Sequence, residues 1–313
     1  MRIFLSLLGF AAFSASAMAA DKAPAPLTPN AIVAAATAGD WVRIAPDDLL
    51  VMDLAPDAAG HARRVVIQVM PPPFSQGWVQ NIRTLVKAHW FDGIAVVRVQ
   101  DNYVVQWGDP DGEMPGKAKT LPAGLLTVPQ SEYVSPLTAG DATAGPVAFT
   151  NDAYAPLATF EGGWPIGRSQ SAKWPLHCYG MVGVGRNLSP DTGTGAELYT
   201  VIGHAPRQLD RNIALVGRVI AGMENLSSLQ RGTGDLGFYK TAPERTRITS
   251  VRIGGGVKDL PAYEYLSTNS RAFAAYAHAR ANRKDDFYIQ PAGGVEVCNV
   301  PVPIREVLVA GKR

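Results

Sequence analysis

The stretch Phe91-Asp92-Gly93-Ile94-Ala95-Val96-Val97-Arg98-Val99-Gln100-Asp101-Asn102-Tyr103-Val104-Val105-Gln106-Trp107-Gly108-Asp109 decides how this chain is read. Two aliphatic and β-branched runs, Ile94 to Val99 and Tyr103 to Trp107, flank the polar triplet Gln100-Asp101-Asn102, so the segment reads as two strands joined by a turn. Gly108-Asp109-Pro110-Asp111-Gly112 is dense in turn formers and closes the second strand. Arg98, Tyr103 and Gln106 carry the chemistry in this run. Strict two-residue alternation does not put all three on one face, so the connection between the strands must be irregular.

Upstream, Leu49 to Leu54 and Arg64 to Val69 are strand-like, and Asp57-Ala58-Ala59-Gly60 between them has turn chemistry, which predicts a hairpin. After Pro71-Pro72-Pro73, residues Val79, Ile82, Leu85, Val86 and Trp90 recur at helical steps along one face, with Phe91-Asp92-Gly93 as the stop. Thr28 as N-cap, Pro29 at the first helical position and Gly39 as stop predict an Ala-rich helix over Pro29 to Ala38. Downstream, Gly180 to Gly185, Leu198 to Ile202, Ile213 to Ile220 and Thr246 to Ile253 read as strands, and Gly222 to Leu229 as a short helix. Residues 110–179 are rich in Pro and Gly with weak periodicity and receive no element assignment; a loop of that length needs a function or elements of its own. Beyond Gly254-Gly255-Gly256, a helix from about Arg271 to Arg283 capped by Ser267 or Thr268, and a strand over Val295 to Val300, make a C-terminal extension. Many short strands and few helices predict a mainly β chain, a closed or nearly closed barrel or a sandwich.

The first residues bear on compartment. Arg2, the apolar run Ile3 to Phe13 and Ala17-Met18-Ala19 read as a secretory signal peptide over residues 1–19, with the mature chain starting at Ala20 and a flexible leader to Leu27. The expected product is exported without a membrane span, and periplasmic in a Gram-negative source. In an oxidising compartment Cys178 and Cys298 could form one disulfide or remain two buried thiols. Composition narrows the partners: 29 basic against 27 acidic residues give a formal charge of +2, without the positive field that nucleic acid binding needs. With 47% apolar and 18% charged residues, disorder is excluded.

The sequence lacks the more familiar catalytic and cofactor signatures. His61, His89, His177, His204 and His278 have no metal-ligand spacing and read as surface or packing residues. No G-x-S-x-G elbow is present. Gly112 to Lys117 departs from a phosphate-binding loop in spacing and in having Ala118 where Ser or Thr should follow. Gly183-Val184-Gly185 lacks the third glycine and the strand-helix context of a dinucleotide site.

The stretch from Phe91 to Asp109 resembles the cyclophilin-type peptidyl-prolyl cis-trans isomerases, whose signature runs aromatic-x-Gly, an Arg five residues later, then aromatic-apolar-x-Gln-x-Gly-Asp. Further segments match in order. Gly180-Met181-Val182-Gly183-Val184-Gly185-Arg186 resembles the family's Gly-x-apolar-Ser-Met-Ala-Asn strand, and Ala196-Glu197-Leu198-Tyr199 its Ser-Gln-Phe-Phe strand. Leu209-Asp210, Leu215-Val216-Gly217-Arg218-Val219 and Gly222-Met223 resemble its Leu-Asp, Val-Phe-Gly-x-Val and Gly-Met segments. The likeness spans about Leu49 to Ile253.

The resemblance implies a cyclophilin-like closed antiparallel β-barrel with two or three helices over 49–253, carrying a 110–179 insertion, preceded by the 20–48 leader and followed by the 254–313 extension. It also implies isomerisation of Xaa-Pro bonds in exported proteins, with proline-containing polypeptides as partners and neither metal nor other cofactor. Arg98 would be the catalytic cation and Gln106 its orienting partner. Tyr103, Val104, Tyr199 and Leu209 would seat the proline ring, and the backbone of Gly185 and Arg186 would meet an extended peptide. Three departures bear on strength of binding: Gln208 stands where many members have Trp, Ile213 where they have His, and Glu197 where they have Gln. They leave open a weak or inactive peptide-binding or chaperone module on the same barrel, and, more remotely, a structural envelope protein.

Overall fold

The computed structural model describes residues 26–141, 145–284 and 287–307, so the expected signal peptide lies outside the described residues, as does most of the leader before Leu27. Eight strands form the barrel: β1 (Leu49–Leu54), β2 (Arg63–Val69), β3 (Ala95–Val99), β4 (Val104–Gly108), β5 (Met181–Val184), β6 (Leu198–Val201), β7 (Leu215–Ala221) and β8 (Ile248–Ile253). Their order is β8-β1-β2-β7-β5-β6-β4-β3, antiparallel throughout. Backbone bonds from Ile248 to the Ile94 carbonyl (2.8 Å) and from Val96 to the Thr246 carbonyl (2.9 Å) bring β3 back to β8. The sheet thereby nearly closes on itself, which removes the exposed edges of an open sheet. Mainly β and barrel-like is the observed class.

Alternation along the strands sorts the two faces. Val105 and Trp107 of β4 and Leu198 of β6 point into the main core, whereas Val104, Tyr199 and Val201 form a separate cluster outside it. Among the described residues the α-helices are α1 (Pro29–Ala35), α2 (Gln76–Lys87), α3 (Glu224–Ser227) and α4 (Arg271–Ala281). Helix α2 buries Trp78, Val79, Ile82, Leu85 and Val86 against β7 and β8, each side chain contributing roughly 1.5–3 kcal/mol.

Several local expectations need correction. Helix α1 stops at Ala35 because Thr37 and Asp40 build their own capping box around a turn at Ala38–Asp40, which takes Gly39 out of the helix. Helix α2 ends at Lys87, earlier than the expected Gly93 stop: His89, with φ 53°, turns the chain out of the helix, and Gly93, also left-handed at φ 85°, lies beyond it. Helix α3 is one turn long. Helix α4 is capped by Ser270, whose oxygen accepts from Phe273 N at 3.0 Å; Thr268 is buried and accepts instead from Gly163 N at 3.2 Å. Val297–Asn299 is a 3-10 turn where a strand was expected, and the strand lies at Ile304–Glu306.

The segment that resisted assignment contains a second sheet. Its order is Ser135–Pro136, Ala172–Pro175, Trp164–Arg168, Leu157–Glu161, Ala148–Phe149. A third sheet pairs Trp41–Arg43 with Tyr263–Leu266 and that strand with Ile304–Glu306, joining leader to extension. Phe160 and Trp164 from the insertion and Phe273 and Val297 from the extension share one hydrophobic core with the barrel. Cys178 and Cys298 form a disulfide across 120 residues, worth roughly 4–5 kcal/mol in the chain-entropy model.

Candidate functional site

The candidate site lies on the outer face of β3, β4, β6 and β5. Register places it there: Arg98 pairs across from Gln106, Gln106 from Tyr199, and Tyr199 from Gly183. Between Val96 and Arg98 the register shifts, so two residues of β3 oppose one of β4. This bulge precedes Arg98 and does not alter how Arg98, Tyr103 and Gln106 face one another; the irregularity that alternation demanded lies in the Gln100–Tyr103 reversal. Asn102, at φ 51°, completes the reversal.

The Arg98 guanidinium is held from three directions. Its Nε donates to the Leu236 carbonyl at 2.7 Å, Nη1 to Gln106 Oε1 at 3.0 Å, and Nη2 to Gln100 Oε1. The rings of Tyr103 and Phe238 flank it with centroids at 5.5 and 5.1 Å. Three of five N–H donors are thereby committed, and one on each Nη is left without a protein partner among the described residues. Burial lowers the Arg98 pKa from its usual value, with Tyr103 and Glu197 opposing the shift; a guanidinium so placed stays cationic at neutral pH.

Gln106 is buried, with its amide fixed at both ends: Oε1 accepts from Arg98 and Nε2 donates to Glu197 Oε1. The Glu197 stem packs against Gly108 and Gly185, where an added Cβ would come within 3.1 and 2.9 Å of its Cγ. Desolvation by the surrounding protein raises the Glu197 pKa above the usual carboxyl value, although part of the residue still meets solvent; the Gln106 hydrogen bond and the Arg98 charge pull the other way. Glu197, Gln106 and Arg98 thus form one polar line.

Beside this line is the apolar seat. Val104, Tyr199 and Val201 are buried together, with Tyr103 and Ile213 packed on them. Leu209 belongs to the adjoining turn Arg207–Leu209, half-buried, and its carbonyl accepts from Asn212 and Ile213. The structure therefore gathers Arg98, Tyr103, Val104, Gln106 and Tyr199 and leaves Leu209 at the margin. The Gly185 N–H is spent on the Glu197 carbonyl at 2.8 Å, which narrows what Gly185 could offer a peptide to its carbonyl. The Arg186 guanidinium bonds the carbonyls of Asn212 and Asn187.

Gln100, Leu236, Phe238 and His177 were not singled out from sequence as site residues. Leu236 and Phe238 lie 138 and 140 positions beyond Arg98 and reach it through an isolated bridge between Arg98 and Phe238, for which no local sequence signal exists. His177, read as a surface or packing residue, is wholly buried and bonds the Tyr199 hydroxyl at 2.9 Å. The site holds no metal-ligand cluster; none of three or more His, Cys, Asp or Glu occurs among the described residues. No helix among them is long and apolar enough to cross a membrane. A cavity of about 910 Å³ lies elsewhere, between the insertion, the Gly203–Arg207 loop and the extension.

Residues 77–253 match the model of the family described as cyclophilin type peptidyl-prolyl cis-trans isomerase/CLD. Among solved structures, a cyclophilin from Hirschia baltica, AquaCyp293, superposes with a TM-score of 0.64 at 20% identity, over 89% of this chain and 97% of that one. A cyclophilin type peptidyl-prolyl cis-trans isomerase from Cryptosporidium parvum aligns with a TM-score of 0.37 at 10% identity, over 66% of this chain and 97% of that one. Its structure in the presence of the dipeptide Ala-Pro aligns with the same score and identity, over 65% and 98%. No curated protein sequence matches this chain significantly.

Proposed function

This chain belongs to the cyclophilin-type peptidyl-prolyl cis-trans isomerase family, and from that premise we propose that it isomerises Xaa-Pro bonds in exported polypeptides, with Arg98 as the catalytic residue. The observation that carries the proposal is the Glu197–Gln106–Arg98 line, which fixes a cation with spare donors beside an apolar seat sized by Tyr103, Val104 and Tyr199. Rotation about the prolyl amide faces a barrier of about 18–20 kcal/mol from amide resonance. Twisting breaks that resonance and localises the nitrogen lone pair, so a donor fixed near the prolyl amide stabilises the twisted form more than either planar form. Arg98 supplies the donor, Gln106 sets its orientation, and the seat holds the ring while the chain on one side turns. Because Arg98 is already anchored through three nitrogens, little reorganisation is needed when the amide twists.

The site is proposed to act in the periplasm, after removal of residues 1–19. The signal-like N-terminal sequence supports that location, and so does the Cys178–Cys298 disulfide, a bond that persists in oxidising compartments.

A second reading, a peptide-binding or chaperone module with weak catalysis, is favoured by one feature. Gln208 is exposed and polar, and Ile213 packs on the seat in place of a hydrogen-bonding ring. One experiment separates the two. Exchange NMR on a short Ala-Pro peptide should show cis-trans exchange enhanced by the protein and largely lost with Arg98→Ala. Absence of enhancement by folded protein at high concentration, with peptide binding retained, would leave only the binding module.

A further inference from the structure

Tyr199 differs from a plain aromatic floor in having a hydroxyl that must be satisfied inside the protein. Its hydroxyl meets His177 Nε2 at 2.9 Å. His177 Nδ1 lies 2.9 Å from Asp210 Oδ1, which also accepts from the His177 backbone N–H at 2.9 Å. A carboxylate can only accept, so Nδ1 carries a proton toward Asp210, and Nε2 closes the chain on the Tyr199 hydroxyl. Asp210 Oδ2 in turn accepts from Arg207 Nε at 2.6 Å. Arg207 Nη1 and Nη2 donate to Asp152 at 2.9 and 2.8 Å, and Nη1 also reaches Glu296 Oε1 at 3.3 Å. The side chains of His177, Asp210, Arg207 and Asp152 expose no more than 3% of their surface.

The ends of this chain belong to different parts of the sequence. Asp152 comes from the insertion and Glu296 from the extension. Glu296 is two residues from Cys298, whose disulfide partner Cys178 adjoins His177. Burial alone would lower the Arg207 pKa, but its bonds to Asp152 and Asp210 outweigh this and raise it, so the cation is firmly held between them.

We infer that His177 is a positioning residue for the isomerase site, fixing the Tyr199 floor of the proline seat through a buried chain of polar contacts anchored by the insertion and the extension. The inference rests on the isomerase reading for its activity readout and on the hydrogen-bond geometry alone for its second readout.

The test is a double-mutant cycle in the full, oxidised protein. His177→Ala should lower kcat/KM for the Ala-Pro peptide about tenfold, with the loss in KM and kcat little changed, because Arg98 is untouched. In a Tyr199→Phe background the same substitution should cost less than about twofold, since the hydroxyl it served is gone. An equal loss in both backgrounds, or a loss in kcat alone, would overturn the inference. If His177→Ala does not fold, Asp152→Asn at the insertion end takes its place in the same cycle, with the same two outcomes. If the unmodified protein shows no isomerase activity, the cycle is read from urea unfolding midpoints. Non-additive shifts then uphold the His177–Tyr199 coupling although the isomerase reading has failed, and additive shifts overturn it.

Discussion

Gly183→Ala is the substitution that most directly probes the seat without touching its polar line. The Tyr199 ring lies over Gly183, and a methyl group there would stand 2.3 Å from the ring's Cζ and Oη. Ordinary contact begins near 3.4 Å, so the ring tip must withdraw by about 1.1 Å, and a withdrawal away from His177 takes the hydroxyl bond, now 2.9 Å, beyond hydrogen-bonding range. Val104 and Val201 are buried around the ring, with Ile213 packed on the cluster, so withdrawal means overpacking, at about 1–3 kcal/mol. Leaving buried His177 and Tyr199 without each other adds about 1–3 kcal/mol. The expected destabilisation is therefore about 2–6 kcal/mol by urea unfolding. Exchange NMR should show a raised KM for the Ala-Pro peptide. Adding Tyr199→Phe should recover only part of the stability, because Cζ clashes as much as the hydroxyl. Unfolding within about 0.5 kcal/mol of the parent, together with an unchanged KM, would refute the view that Tyr199 is wedged against Gly183 as the floor of the seat.

Four further outcomes are expected. Because the Glu197 pKa is raised, the fold favours its neutral form, so its contribution to stability is present at low pH and is lost as pH rises through the raised value. Activity should run the other way, kcat/KM falling as pH drops through that value and the carboxylate accepting from Gln106 becomes neutral; a pH profile should show this limb, and Glu197→Gln should flatten it. Reducing the Cys178–Cys298 bond should cost roughly 4–5 kcal/mol in unfolding free energy on the chain-entropy account, measured with and without reductant. Gln208→Trp, restoring an aromatic wall beside the seat, should lower KM several-fold in exchange NMR without changing unfolding by more than about 0.5 kcal/mol. Asp141, held by Lys173 and Thr138, has its pKa well below the usual carboxylate range. The stability it supplies is present above the unfolded-state value of about 3.9 and lost as pH falls below it, so acid unfolding of Asp141→Asn should show a shallower pH dependence than that of the parent.

The barrel and the centre of the site were legible because their residues are close in sequence or fall in short, strongly patterned strands. Arg98, Tyr103 and Gln106 lie within nine positions of one another, and apolar runs mark β3 and β4. Which backbone group of Gly185 is open was illegible because a strand amide looks alike in sequence whether it is free or paired, and here the Glu197 carbonyl takes the N–H. Phe238 and Leu236 were illegible because only the folded path of residues 230–238 brings them over Arg98. The insertion was illegible for a different reason: two of its strands are only two residues long, and Trp164–Arg168 and Ala172–Pro175 carry Pro or Gly, which speak against a strand in sequence. They are held instead by buried pairs such as Lys173 with Asp141 and Glu161. The strand expected over Val295 to Val300 failed because an apolar run records burial, and a turn pinned by a disulfide buries Val297 and Val300 equally well.

Buried charge explains why the insertion and the extension are parts of this barrel and not appendages. Arg218 on β7 has no paired carboxylate among the described residues, and burial lowers its pKa to about 9. Its guanidinium is satisfied by Gln68 Oε1 on β2 at 2.9 and 2.7 Å and by the Gly163 carbonyl of the insertion at 2.6 Å. The Trp164 ring, 4.2 Å away, covers it from the insertion, and the Tyr265 ring, at 5.8 Å, from the extension. A bare barrel would leave this cation to water; the covered one needs both added segments to supply the acceptor and the rings. The Arg207 cluster repeats the arrangement with true ion pairs, using Asp152 and Glu296 from the same two segments. Two arginines of the barrel sequence are thus completed by residues from outside it, and one of those completions runs on through Asp210 and His177 to the floor of the proline seat.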